Sequence, residues 1–314
     1  MINSYKRLNQ SFNKRLIFNF GYEAGLYSEL NNMILAVVYC LEHEIEFVIY
    51  SKDAKFARTN AWNDFFIPFC RESQSAFHKY FNRRDHNLST NPVFRTMIKR
   101  FFIVVYKLLY PNTYLTGDLW RHFHNVDMEE RRYTFPNLGI VDLDLRDTCA
   151  RIIDIICVHN AKTKSQIIDL KCSVNLPSEY IGVHIRRGDK ITESMEVSTD
   201  IYIQKILDLN IQCKNVFVLT DDYTVIEDLE NRYTEWNFYT LTKHSERGYN
   251  YAEYNKKKVE DKISDIIKLF AAVEILRSSE VFIGTYSSNP GMFLGMCKDR
   301  TKVYGVDLEE WKIW

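Results

Sequence analysis

Residues 180–190 read YIGVHIRRGDK, an apolar run that stops at two arginines, a glycine, an aspartate and a lysine. The run 180–185 has strand character, and the chain beyond it alternates between helix and strand patterns. A helix is expected over 201–209, a strand over 216–220, a helix over 223–231 and a strand over 238–241. A polar loop follows, in which Lys256-Lys257-Lys258 reads as a solvated basic run. Next come a long helix over 260–278, a strand over 281–286, and a helix with Asn289 as its capping residue and Pro290 at its first position. A last strand occupies 303–306. This order predicts a doubly wound parallel sheet.

Working back toward the N-terminus, the stretch 172–179 contains Pro177 and is the expected boundary between two domains, 1–175 and 176–314. The first domain opens with a strand over 16–20, a loop punctuated by Gly21 and Gly25, a helix beginning at Asn31-Asn32 and running to about 44, and a strand over 46–50. That β-α-β unit again suits a parallel sheet. Residues 52–140 are rich in Phe, Tyr, Trp and Asn and read as helices and long loops. Residues 145–171 read as helical, with a stripe through Ile152, Ile153, Ile156 and Ile167.

Composition narrows the function. Of 314 residues 46% are hydrophobic, enough for sizeable cores, and 41 basic side chains balance 41 acidic ones. A neutral chain lacks the excess of cations on which nucleic-acid binding depends, though one phosphorylated ligand needs only a few. The seven cysteines are scattered and form no CxxC pair, so buried free thiols are expected rather than disulfides or zinc. The first twenty residues contain no signal-peptide pattern, and no apolar run is long enough to span a bilayer. Residues 101–110, FFIVVYKLLY, follow Arg95, Lys99 and Arg100. A buried helix is expected there, and peripheral contact with an anionic membrane is the alternative. The expected setting is cytoplasmic.

In open α/β sheets, ligands bind beyond the carboxyl ends of the strands. Those ends carry Arg186-Arg187-Gly188-Asp189-Lys190, then Asp221-Asp222, then Ser287-Ser288-Asn289 leading into a helix. Each has an ordinary explanation: a charged turn, a helix cap, a second cap. Together they make a pyrophosphate site, because guanidinium binds phosphate in a bidentate fork and a helix N-terminus adds free N–H groups. Arg187-Gly188-Asp189 is also an adhesion tripeptide, but it abuts a predicted core strand.

The segment 181–190 resembles the His-x-Arg-Arg-x-Asp-Lys signature of the α1,6-fucosyltransferases, the group of the core and nodulation-factor enzymes. Residues 218–222 (VLTDD) and 281–289 (VFIGTYSSN) resemble that family's second and third motifs in order and spacing. Residues 25–32 resemble its glycine-containing loop. The resemblance implies a GT-B-like α/β fold with two Rossmann-like domains, the first on the acceptor side and the second binding a GDP-sugar. It implies that Arg186 stabilises the leaving diphosphate, that Ser287 or Ser288 assists, and that His184 helps read guanine. Gly25, Arg187, Asp189, Lys190, Tyr202, Asp221 and Asp222 would line the donor site. Glu193 is the candidate base, one position short of the family's glutamate. The family's guanine-reading aspartate falls on Ala272, so Asp265 or Glu274 would have to substitute.

The implied activity is inverting, metal-independent transfer of L-fucose from GDP-fucose to a glycan hydroxyl, α1,6 as the first expectation, with no cofactor beyond the donor. An arginine and a helix N-terminus can meet the leaving-group charge, and a carboxylate can take the acceptor proton. No Asp-x-Asp metal motif occurs in the donor half; Asp142-Leu143-Asp144 lies outside it and reads as a helix start. The α1,2-fucosyltransferases, whose pattern Gly188 fits better, another GDP-sugar, and a non-catalytic glycan- or nucleotide-binding protein remain open.

Overall fold

The computed structural model describes residues 1–21, 24–84, 93–187 and 197–313. Two units result, Met1–Asn160 and Ala161–Trp314, so the boundary lies some fifteen residues before the expected 175/176.

In the first unit, β1 (Lys14–Asn19), β2 (Ile45–Tyr50), β3 (Arg71–Glu72) and β4 (Thr113–Leu115) form a parallel sheet in the order β3-β2-β1-β4. α1 (Ile2–Gln10) precedes it, and α2 (Leu26–Glu42) joins β1 to β2. α2 starts five residues before the expected Asn31-Asn32 pair, because Asn31 is buried inside it and the Asn32 amide donates to the Ser28 carbonyl at 2.6 Å. Every residue of β2 is buried, including Glu46, whose carboxylate is held by Arg71. α3 (Ala61–Phe65), α4 (Phe77–Phe81), α5 (Val93–Leu109) and α6 (Thr116–Leu119) fill the region read as helices and loops. The antiparallel pair β5 (Tyr133–Phe135) and β6 (Ile140–Leu143), then α7 (Leu145–Ile156), complete the unit. Asp144 caps α7, as the sequence suggested, while Asp142 pairs with Arg132.

Further expectations fail here. β3, β4 and β5 lie within 52–140, the stretch read as helices and long loops. The helix over 145–171 is two helices, because the chain at 157–160 bonds elsewhere: Val158 accepts from the Ile67 amide (2.8 Å) and the Asn160 amide donates to Phe65 (3.0 Å). The apolar run 101–110 is helical to Leu109 but not buried; Phe101, Val104, Leu108 and Leu109 are all more than half exposed.

The second unit begins with α8 (Ala161–Ser173) and continues as β7 (Ile181–Ile185), α9 (Thr199–Asp208), β8 (Asn215–Thr220), α10 (Thr224–Arg232), β9 (Asn237–Tyr239), α11 (Tyr251–Lys256), α12 (Val259–Ser278), β10 (Phe282–Gly284), α13 (Asn289–Cys297) and β11 (Val303–Gly305). The strands form one parallel sheet in the order β11-β10-β7-β8-β9. Side chains alternate along a strand. Ile181, Val183 and Ile185 therefore share a core with Tyr202, Ile203 and Ile206 of α9 and Val225, Ile226 and Leu229 of α10. Gly182 points the other way, at α12. A Cβ there would lie 2.8 Å from both the Leu276 side chain and the Ser279 hydroxyl, so glycine lets helix and sheet approach closely. His184 and Arg186 fall on the same side of the alternation as Gly182. From β7 the chain winds toward β9 on one side and returns as β10 on the other, so the sheet's switch point lies between β7 and β10.

All seven cysteines are free, but only Cys40 and Cys149 are buried; Cys172 is exposed and the rest are half-buried.

Candidate active site

At that switch point His184, the fourth residue of β7, is 5% exposed. Burial, reinforced by the Arg186 charge, pushes its imidazole down to about 3, so it is neutral at any physiological pH. Its Nδ1 lies 3.3 Å from the Ser288 hydroxyl. Ser288 is the N-cap of α13, the place the sequence reading gave to Asn289: its Oγ donates to the Thr285 carbonyl (2.8 Å) and accepts from the Gly291 amide (3.2 Å). With the hydroxyl proton on Thr285, the imidazole N–H is the donor to Oγ, and Nε2 is left as an acceptor. One contact thus ties β7 to the turn after β10.

Asp307, two residues past the end of β11, holds that turn from the other side. Its carboxylate accepts from the Tyr286 amide at 2.7 Å and the Ser287 amide at 2.9 Å. Ser288 is buried under this clamp and Ser287 is exposed. The result is an ordered helix N-terminus with an outward hydroxyl, beside the strand that ends in arginine, which suits an anion.

Arg186 is half-buried, and its guanidinium lies 5.9 Å from the centre of the Tyr249 ring. Arg187 is used differently. Its amide donates to Asp221 (2.7 Å), and its guanidinium donates to the carbonyls of Arg186 (3.2 Å) and Val197 (3.1 Å). Asp221 also accepts from the Tyr249 amide (3.1 Å), and its carbonyl accepts from Gly248. Gly248 sits at φ +90°, a conformation that favours glycine. Asp221 therefore joins the end of β7 to the loop carrying Tyr249. Asp222, one residue before the N-cap Tyr223 of α10, accepts from the amide (2.9 Å) and hydroxyl (2.8 Å) of Thr224 and so closes the turn into that helix.

His184, Arg186, Arg187, Asp221, Ser287 and Ser288 are thus connected through these bonds and strand pairings. Tyr202 is buried in the core on α9, where burial raises its phenol pKa. Asp265 lies on α12 with its carboxylate 2.7 Å from the Lys257 ammonium, and Ala272 is buried. Gly25 belongs to the first unit, as N-cap of α2 in an extended conformation open to any residue. Asp189, Lys190 and Glu193 lie outside the described residues. Sequence reading missed Asp307 and Tyr249. The strand-end rule applied to 303–306 would have found Asp307, but Tyr249 comes from a polar loop brought in by tertiary bonds.

A cavity of 480 Å³ lies along α9 and the end of β11, lined by Lys205, Tyr304, Tyr286 and Asp307 among others. It contains neither Arg186 nor His184. Among the described residues no group of His, Cys, Asp and Glu is arranged to hold a metal ion.

Residues 149–290 match the family model for alpha-(1,6)-fucosyltransferase N- and catalytic domains. No curated protein matches the chain by sequence. Among solved structures, NodZ alpha-1,6-fucosyltransferase soaked with GDP-fucose is 13% identical, with 91% of this chain and 93% of that one covered at a TM-score of 0.53. Fucosyltransferase NodZ from Bradyrhizobium is 14% identical, with 91% and 94% covered and a TM-score of 0.54. An Arabidopsis thaliana FUT1 mutant in complex with GDP is 10% identical, with 96% and 72% covered and a TM-score of 0.53. At these identities the structures establish the fold, while the family match spans the strands and loops that bear the cluster. Residues 149–290 thus resemble the alpha-(1,6)-fucosyltransferase catalytic domain in sequence, and the chain shares the fold of these fucosyltransferase structures.

Proposed function

We propose that this protein transfers L-fucose from GDP-fucose to a hydroxyl of a glycan, with inversion at the anomeric carbon, without a metal, and with an α1,6 linkage. The observation that carries the reading is the placement of Arg186 and the capped N-terminus of α13 on the paired strands β7 and β10.

As the bond from the anomeric carbon to the β-phosphate oxygen breaks, negative charge gathers on the diphosphate. The Arg186 guanidinium and the first turn of α13, with the Ser287 hydroxyl, meet it from fixed positions. His184, neutral and tied to Ser288, presents Nε2 as a hydrogen-bond acceptor for the guanine edge. The acceptor oxygen bonds to the anomeric carbon and gives its proton to Glu193. Asp221, Asp307 and Arg187 bind backbone and keep the cluster in register, whereas Arg186 is the group that touches the leaving phosphate. The likenesses to a structure soaked with GDP-fucose and to others holding GDP support this choice of donor.

Thermal unfolding with GDP, GDP-fucose, UDP and ADP, each with and without chelator, is the first test. A native-state ligand at a hundred times its Kd stabilises by about 2.7 kcal/mol. A rise with GDP and GDP-fucose alone, indifferent to chelator, is expected; a rise with UDP, or one that needs metal, overturns the donor. Glu193→Gln is expected to abolish transfer while leaving the GDP shift intact, and normal turnover in that variant removes Glu193 as base.

A further inference from the structure

The outward face of α5 is apolar. Met97, Phe101, Val104 and Leu108 recur at helical spacing and are 64, 63, 55 and 76% exposed. Leu109 and, just past the helix, Tyr110 add exposed apolar surface. The inward side is fixed by rings: Tyr106 stacks on Phe77 with centres 4.2 Å apart, and Phe102 meets Phe81 at 5.2 Å. Tyr80, exposed and next to Phe81, carries the apolar surface onto α4. A helix that ended its contacts in water would show polar residues outward, and an apolar patch of this extent marks a contact site.

Charge identifies the occupant. Along α5 the sequence has Arg95, Lys99, Arg100 and Lys107 and not one acidic residue, in a chain whose net charge is zero. Lys107 is paired with Asp118 at 2.5 Å, whereas Lys99 and Arg100 have no ion-pair partner among the described residues. Arg100 lies three residues after Met97 and four before Val104, which puts it on the border of the apolar stripe. A second copy of the same helix would bring cation against cation. A negatively charged lipid surface takes up the stripe and the cations together.

We propose that α5 lies in the headgroup region of an anionic bilayer, with Met97, Phe101, Val104 and Leu108 in the acyl boundary and Arg100 on headgroup phosphates. Among the described residues no helix is long and apolar enough to cross a membrane, so the contact is peripheral. The proposal stands apart from the choice of donor.

Flotation of the full chain with phosphatidylcholine vesicles, and with vesicles containing about one-third phosphatidylglycerol, tests it. The chain is expected to float with the anionic vesicles only and to be released progressively by salt. F101E/L108E is expected to lower the bound fraction about tenfold or more, and R100E by less. These positions are exposed, so circular dichroism and the unfolding midpoint should match the native chain. No flotation with anionic vesicles, equal flotation with neutral ones, or undiminished flotation of F101E/L108E overturns the proposal. Sedimentation showing a dimer that F101E/L108E dissolves assigns the face to a second copy and overturns it too.

Discussion

Arg186 and Arg187 stand side by side in the sequence, and the strand alternation separates them. The Arg187 guanidinium binds two backbone carbonyls, while Arg186 lies by the face of Tyr249. Arg186→Lys keeps a positive charge but loses the planar fork, so turnover is expected to fall about a hundredfold or more with an unchanged unfolding midpoint. Arg187→Ala is expected to lower the midpoint as well as the rate. Equal midpoints in the two variants would show that the roles are wrongly divided. His184 makes a different prediction. Its imidazole stays neutral down to about 3 in the fold, whereas an unfolded histidine takes its proton near 6.5. Between those values the unfolded chain binds the extra proton, so stability falls as pH falls from about 6.5 toward 3, by at most about 1.4 kcal/mol per pH unit. His184→Asn should flatten that part of a stability–pH curve measured by urea unfolding, and an unchanged slope removes the burial argument.

The turn between β10 and α13 depends on a residue that follows the next strand. Asp307→Ala leaves the Tyr286 and Ser287 amides without their acceptor, and a cost of about 1–3 kcal/mol is expected in chemical unfolding, with weaker GDP binding. Lost stability with undiminished GDP affinity would separate this turn from the donor site. In Gly182→Ala the added methyl meets Leu276 and Ser279, and an overpacking cost of about 1–3 kcal/mol is expected; a neutral result would mean that α12 moves aside freely. Most elements of the second unit were legible because they are short apolar strands and helices with their own stop signals, but α11 lies in the stretch read as a polar loop. The missed boundaries have tertiary causes. Asn31-Asn32 looks like a helix start yet lies inside α2, and no local pattern shows that Val158 and Asn160 bond back to residues 65–67. For α5 the sequence reading preferred burial to membrane contact, since periodicity reveals a stripe but not what covers it.

Across the whole chain, the sequence showed the strands of the second unit in chain order and the three motifs at their ends, whereas β3, β4 and β5 lie in a stretch read as helices and long loops. It did not deliver the unit boundary, which falls where the helical pattern runs on, nor the two side chains contributed by later segments, Tyr249 and Asp307. Occupancy by GDP is expected to slow amide exchange in the second unit at Arg187, Tyr249 and Ser287, whose N–H groups are held by Asp221 and Asp307. Slowing confined to the first unit would relocate the site.

The pairing of β7 with β10 also has a consequence in time. Gly182 meets Phe282, a partner about 100 residues further along, so the central strand cannot complete its ladder until α12 and β10 exist. At roughly 5–20 residues per second of synthesis, β7 emerges with one edge unpaired for about 5–20 s. During that interval its apolar side chains and open backbone are a target for chaperones, and a ribosome stalled before residue 282 would hold a chain that cannot close its sheet.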